Sequence, residues 1–307
     1  MKFKGTAGMM VVFLCLGIYY FFVDLPAEKK KAKEKEIAGK VLYFKIDDVK
    51  EFSLIKNEEI ITLQQTKDSN WSISQPLKAA GDNSETESFL SEIESLEKFR
   101  VVEKNPKNLT QYGLQNPTFK IHLKFKEGKE KTLIFGHDSP MGGKIYLKFK
   151  NAPKVFLAAT SKKMFDKSVY NFRDKTIFNF SSGAINRIQI KREKHPLNLI
   201  REKGEWLVSG EIKSKADKDE VLAFLQAIQF SRIKEFESEN PNSLKPYGLY
   251  KPIITLILKN ENKRIYSIAL GDTKVGSGTF AKKEGAPGVF LVDTKFYDTL
   301  KKKNVDF

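Results

Sequence analysis

One stretch occurs twice, and it constrains the fold more than any other feature of the 307 residues. The chain reads Asn105-Pro106-x-x-Leu109-x-x-Tyr112-Gly113-Leu114-x-x-Pro117. It then reads Asn240-Pro241-x-x-Leu244-x-x-Tyr247-Gly248-Leu249-x-x-Pro252. All seven positions match at a single offset of 135 residues. Solenoid repeats recur at roughly 20–50 residues, so so long a period indicates a duplicated domain. Asn-Pro and the later Pro disfavour helix at the residue before them. Gly113 and Gly248 can take the positive φ of a tight reversal. Apolar alternation follows each copy, at Phe119, Ile121, Leu123 and Phe125 and at Ile254, Leu256 and Leu258. The motif is therefore predicted to be a structured corner feeding a strand, with its Tyr and Leu turned to a core. A ligand loop with tyrosine as the contact is the functional alternative, since loops bind as well as turn.

The residues around the corner repeat too. From near Val41, the pattern Val49, Phe52, Leu54 and then Ile60, Ile61, Leu63 predicts a strand pair about the Lys56–Glu59 turn. Trp71 and Ile73 lie on a third strand ending at Pro76. A helix begins at Asp82-x-x-Glu85 or Ser84-x-x-Glu87, with Phe89, Leu90, Ile93 and Leu96 as its apolar stripe. After the corner, strands are expected at 118–125, 130–135, 144–149 and 154–159. Turns fall at Glu127-Gly128, Gly136-His137-Asp138 and Met141-Gly142-Gly143, and a short helix runs from about Lys162 to Tyr170. The second unit begins near Thr176 and retraces this order. Trp206 matches Trp71, Asp217-x-x-Glu220 matches Asp82-x-x-Glu85, and Gly271 matches Gly136. Phe224, Leu225 and Ile228 match Phe89, Leu90 and Ile93. Val289-Phe290-Leu291 meets Val155-Phe156-Leu157 one residue out of step, so one deletion lies between. The expected fold class is α+β: two homologous, mostly antiparallel β units, 41–175 and 176–307, each with one main amphipathic helix.

Ahead of them, Gly5 to Val23 is an uncharged run of 19 residues. As a helix it spans roughly 28 Å, close to a bilayer core. Tyr19, Tyr20, Phe21 and Phe22 crowd its far end, where an aromatic belt would lie. Residues 1–25 are read as an N-terminal transmembrane anchor and 26–40 as a charged linker. A cleaved signal peptide has a shorter apolar core and a small-x-small site, and Leu25-Pro26-Ala27 is a poor one. Orientation stays open on charge alone. Lys2 and Lys4 precede the run, and Lys29, Lys30, Lys31, Lys33 and Lys35 follow it.

Charge bears on partners. The net charge of +16 is spread along the chain, and only seven of 54 basic residues are Arg. Readers of base edges lean on Arg, so nucleic acid is not expected as a partner. A solvated lysine surface, or attraction to anionic lipid or polymer, fits better. The one cysteine, Cys15, allows no disulfide or cysteine metal site within the chain. His122, His137 and His195 have no second histidine at metal spacing, and the second unit has Ile257 and Asp272 in place of the first two. Asp47-Asp48 and Glu58-Glu59 are adjacent pairs, which point apart in extended backbone. Gly271-Asp272-Thr273 and Gly276-Ser277-Gly278 precede a strand, so a hairpin loop is favoured over a phosphate cradle. Trp71 and Trp206 are expected in the core rather than as sugar platforms. No catalytic, cofactor-binding or metal residue is expected, and the chain is read as a non-enzyme. A binding protein for an acidic envelope polymer is the alternative reading.

The repeated Tyr-Gly-Leu-x-x-Pro, the strand pairs ending in Gly136 or Gly271, the Val-Phe-Leu strands and Phe172-Arg173-Asp174-Lys175 resemble a bacterial family, domain of unknown function family 4340. The resemblance covers about residues 40–307 in two copies behind a single anchor. It implies no activity and no catalytic residue. It does imply an accessory role in the cell envelope, beside ABC-transporter or gliding-motility auxiliary proteins. The apolar run implies a single pass through the inner membrane at residues 5–23, and the resemblance tips the orientation toward a bulk in the periplasm.

Overall fold

A computed structural model of the chain describes residues 9, 13, 14, 16–140, 142–209 and 213–307. The chain divides into two compact units, Met1–Asp174 and Lys175–Phe307.

In the first unit the strands are β1 (Val49–Lys56), β2 (Glu59–Gln65), β3 (Trp71–Gln75), β4 (Ala79–Ala80), β5 (Lys98–Glu103), β6 (Phe119–Phe125), β7 (Glu130–Asp138), β8 (Ile145–Phe149) and β9 (Val155–Ala158). They form one nine-stranded sheet in the order β4-β3-β2-β1-β6-β7-β8-β9-β5. Every pairing in it is antiparallel.

That order explains why one helix suffices. The chain leaves the sheet at one edge, β4, and re-enters at the other edge, β5. The helix Asn83–Glu94 lies between them in sequence and carries the chain across one face. Asp82 caps its N-terminus, its side chain accepting from the Glu85 amide at 3.1 Å. Phe89, Leu90 and Ile93 are fully buried. Phe89 stacks on Phe52 of β1 at 5.3 Å and meets Phe172 edge-on at 5.1 Å. Burying one such ring contributes on the order of 1.5–3 kcal/mol. Trp71 is 3% exposed and packs on Phe52, in the core as expected.

The second unit repeats this with β10 (Ile185–Lys191), β11 (Leu197–Glu202), β12 (Glu205–Val208), β13 (Ser214–Lys215), β14 (Glu235–Ser238), β15 (Ile254–Asn260), β16 (Ile265–Lys274), β17 (Gly278–Lys283) and β18 (Val289–Val292). Their order is β13-β12-β11-β10-β15-β16-β17-β18-β14. The helix Lys218–Phe230 bridges the edges, capped by Asp217, and buries Val221, Phe224, Leu225 and Ile228. Trp206 is buried. The one-residue deletion lies in the hairpin after the sheet's longest strand. Six residues separate the paired Asp138 and Ile145, and five separate Thr273 and Thr279.

Several local expectations are corrected. Gly136-His137-Asp138 is not a turn: it belongs to β7, where the register shifts between Phe135 and Asp138 as a bulge. Gly271-Asp272-Thr273 likewise belongs to β16, with a shift between Leu270 and Thr273. The helix expected over 162–170 is two short helices, Lys162–Phe165 and Val169–Phe172, because Ser168 and Asn171 form a second capping box. Of the Met141-Gly142-Gly143 turn, Met141 lies outside the described residues, and Gly142 and Gly143 both have positive φ.

At the N-terminus, helical residues 16–19 continue through a π-helical turn, Tyr20–Asp24, into the helix Leu25–Gly39. The expected transmembrane helix is not supported as such: among the described residues no helix is long and apolar enough to cross a membrane. The charged residues that follow Val23 end the apolar part. Residues 5–8, 10–12 and Cys15 of the expected span lie outside the described residues. Lys40, at the end of the helix, pairs with Glu94 and, at 3.2 Å, with Glu36.

Candidate functional site

The duplicated motif occupies the second crossing of each sheet. Between β5 at one edge and β6 at the centre, the chain must return over β9, β8 and β7. It does so on the face opposite the long helix. Residues alternate across a strand, so Ile134 and Tyr146 point away from the helix-side core that holds Leu133, Phe135 and Leu147. Tyr112 and Leu114 settle on that second face in a small cluster with Ile134 and Val155, flanked by Tyr146. The Tyr112 and Tyr146 rings lie 5.0 Å apart, as do Tyr247 and Phe280, at 5.2 Å, in the second unit.

The local backbone follows from the motif. Asn108 accepts from the Thr110 amide at 2.9 Å, and Ser243 from the Lys245 amide at 3.2 Å. A single 3-10 turn follows, Thr110–Tyr112 or Lys245–Tyr247, ended by Gly113 at φ 66° or Gly248 at φ 67°. The Leu114 amide then reaches back to the Leu109 carbonyl at 3.0 Å, and Leu249 to Leu244 at 3.1 Å. Such a left-handed closure is the C-terminal stop glycine provides. Leu114 and Leu249 are buried, Pro117 is half-buried and Pro252 exposed. Tyr112 is buried and its hydroxyl donates to Glu103 at 2.9 Å. That hydrogen bond, with burial next, raises its phenol above the usual range. Tyr247 is half-buried. The structure thus brings all the motif residues together as a strap on the sheet.

The strap covers only the β7–β9 half of the second face. Toward β1 and β2 the first unit presents a polar row in register: Thr62, Ser53, His122 and Thr132 stand opposite one another across β2, β1, β6 and β7. Ser53 and Thr62 hydroxyls lie 2.9 Å apart, and His122 Nδ1 lies 2.9 Å from Thr132 Oγ1. Glu130 stands 3.7 Å from His122 Nε2. The sequence alone does not reveal this row, because strand pairing is invisible until register is known. The matching row of the second unit is Asn198, Gln189, Ile257 and Ser267.

The other histidines stand apart from this row: His137 lies beside Gly113 and His195 is an exposed turn residue with φ 56°. Among the described residues no group of His, Cys, Asp and Glu could hold a metal. A groove of about 640 Å³ between Lys56, Thr118 and Lys163 carries equal acidic and basic charge, so it has no preference of sign.

The family model for Domain of unknown function (DUF4340) matches residues 71–228 and again 206–307. The chain belongs to this family. Both matches begin at the equivalent tryptophans, Trp71 and Trp206. Searches of curated proteins and of solved structures found no match.

Proposed function

We propose that the chain is a membrane-anchored, non-enzymatic accessory protein of the bacterial cell envelope. Residues 5–23 tether it to the inner membrane, and its two units stand in the periplasm as a scaffold or subunit of a transport or gliding-motility type complex. One observation carries this reading. Every described side chain from 16 to 23 is exposed, among them Ile18, Tyr19, Tyr20, Phe21, Phe22 and Val23. A run of large apolar side chains left in water loses about 25 cal/mol for each Å² that lipid would cover. The helix Leu25–Gly39 that follows has no buried residue, which suits a spacer between a bilayer and folded units. The family resemblance favours the envelope.

The test is affinity purification of the full chain from detergent-solubilised membranes, with protease accessibility measured on spheroplasts. The expected result is cleavage of both units from outside and recovery of a reproducible membrane partner. Recovery of the protein alone, or protection of both units, counts against the reading.

A second reading, binding of an acidic envelope polymer, is favoured by the net charge of +16 and by the open polar row on the first sheet. Two similar units could also bind bivalently.

A further inference from the structure

The polar row ends in a hollow of about 250 Å³ whose walls include His122, Glu130, Lys131, Thr132, Phe149 and Lys150. It is smaller than the roughly 300–1,000 Å³ of a drug-sized site, so it suits one small ring or one acidic group. Its chemistry is mixed in a particular way. The Lys150 ammonium can meet a carboxylate, whereas Lys131 pairs with Leu123 and alternates to the opposite face. Thr132, His122 and Glu130 offer donors and acceptors, with the Glu130 carboxylate suited to accept from hydroxyl groups. Lysines also flank the hollow on the same face: Lys120 stands opposite Ile134, which stands opposite Lys148. With strands about 4.8 Å apart, the backbone positions of those two lysines are about 10 Å from each other.

The second unit provides an internal comparison. Ile257 takes the place of His122 in the register, between Gln189 and Ser267. Glu284 takes the place of Lys150: its amide donates to Ser267, as that of Lys150 donates to Thr132. Ile265 replaces Glu130 and Thr255 replaces Lys120, by the same pairing. The same sheet therefore forms in the second unit without these side chains.

We infer that this hollow is a site for a carboxylate-bearing sugar, free or as a residue of an acidic polysaccharide, and that it exists in the first unit alone. This rests on the polymer-binding reading and locates it. The test uses the full chain in detergent at about 0.15 M salt, where the Debye length is about 8 Å and diffuse charge attraction is screened. Polygalacturonate is the titrant, with galacturonate, galactose and inorganic phosphate as competitors. The double variant His122→Ile with Lys150→Glu installs the second unit's own residues.

Saturable binding that the double variant weakens about tenfold or more, about 1.4 kcal/mol, at unchanged melting temperature, supports the site. Competition by galacturonate assigns it to a single acidic sugar, and competition by polymer alone to a chain segment. Unchanged binding by the double variant overturns the site while leaving the polymer reading standing. Competition by phosphate as effective as by galacturonate reduces it to a general anion site and overturns the sugar assignment. Failure to bind any acidic saccharide overturns both.

Discussion

Gly136 lies directly beneath the carbonyl of Tyr112: a Cβ built on Gly136 would fall inside that oxygen's contact radius. Gly271 stands in the same relation to Tyr247. Each duplicated corner is thus fastened to a strand through a glycine far from it in sequence, at a bulge in the long strand β7 or β16. This explains why Gly136 and Gly271 repeat together with Tyr-Gly-Leu. The strap and the glycine under it form one contact made twice.

Gly136→Ala and Gly271→Ala should each destabilise their own unit. The added methyl meets backbone rather than a flexible side chain, so the strap must lift. Overpacking of this kind costs about 1–3 kcal/mol. Gly183→Ala is the control, with nothing within 4 Å of its Cβ position, and should stay within about 0.5 kcal/mol. Thermal melts of the three variants decide it, and equal melting temperatures would refute the fastening.

The two tyrosines of the motif should behave differently. Tyr112 donates to Glu103, whereas the Tyr247 hydroxyl has no hydrogen-bond partner among the described residues. Tyr112→Phe should lower stability by about 0.5–1.5 kcal/mol, and Tyr247→Phe should change it little. Gly113→Val and Gly248→Val place a β-branched residue at positive φ and should cost more than either, on the order of 1–3 kcal/mol. Should the motif be a ligand loop, the order reverses, with the phenylalanine variants impaired in binding at wild-type melting temperature.

Much of this was legible in the sequence, and the misses share a cause. Tryptophans, caps and helix stripes are local signals, and Asp82, Asp217, Phe89 and Phe224 take the places their periods indicate. The edge strand β5 was missed because Lys98 to Arg100 and Val101 are exposed, so no apolar alternation marks it. Gly136-His137-Asp138 reads as a turn by composition, yet the glycine serves a bulge under another segment's carbonyl, a tertiary demand. The His122 row is created by pairing four strands, and no one of them carries its pattern.

Glu92 gives a pH prediction. Its Oε2 is buried without a hydrogen-bond partner. Burial raises its pKa above the usual carboxylate range; nearby Lys167 opposes that shift and Glu85 adds to it. The folded state therefore holds the proton more tightly than the unfolded chain. Stability from this group is full below the unfolded carboxyl pKa, about 4.3, and is lost as pH rises through the raised folded value. Glu92→Gln should thus melt higher than wild type at neutral pH, with the gap closing toward pH 4. A gap independent of pH would show that shape, not charge, sets the cost.

Arg192 holds the end of the second unit in place. Its guanidinium donates to the carbonyls of His195 and Leu300, each at 2.7 Å, and to that of Lys302. Beyond them the Phe307 carbonyl accepts from the Asp217 amide at 2.9 Å, and its ring meets Phe224 at 5.5 Å. The first unit uses Lys56 at the corresponding strand end, paired with Asp166 at 2.8 Å. Three carbonyls in different directions need a planar fork of donors, which an ammonium does not supply. Burial lowers the Arg192 pKa, with Asp306 opposing it, yet a guanidinium stays charged. Arg192→Ala should cost about 1.5–3 kcal/mol through its charged hydrogen bonds, and Arg192→Lys should recover only part of that. Hydrogen exchange localises the effect: the amide of Asp217, which donates to the final residue, should exchange faster in both variants. If Arg192→Lys protects that amide as well as wild type does, a point charge suffices and the fork is not required.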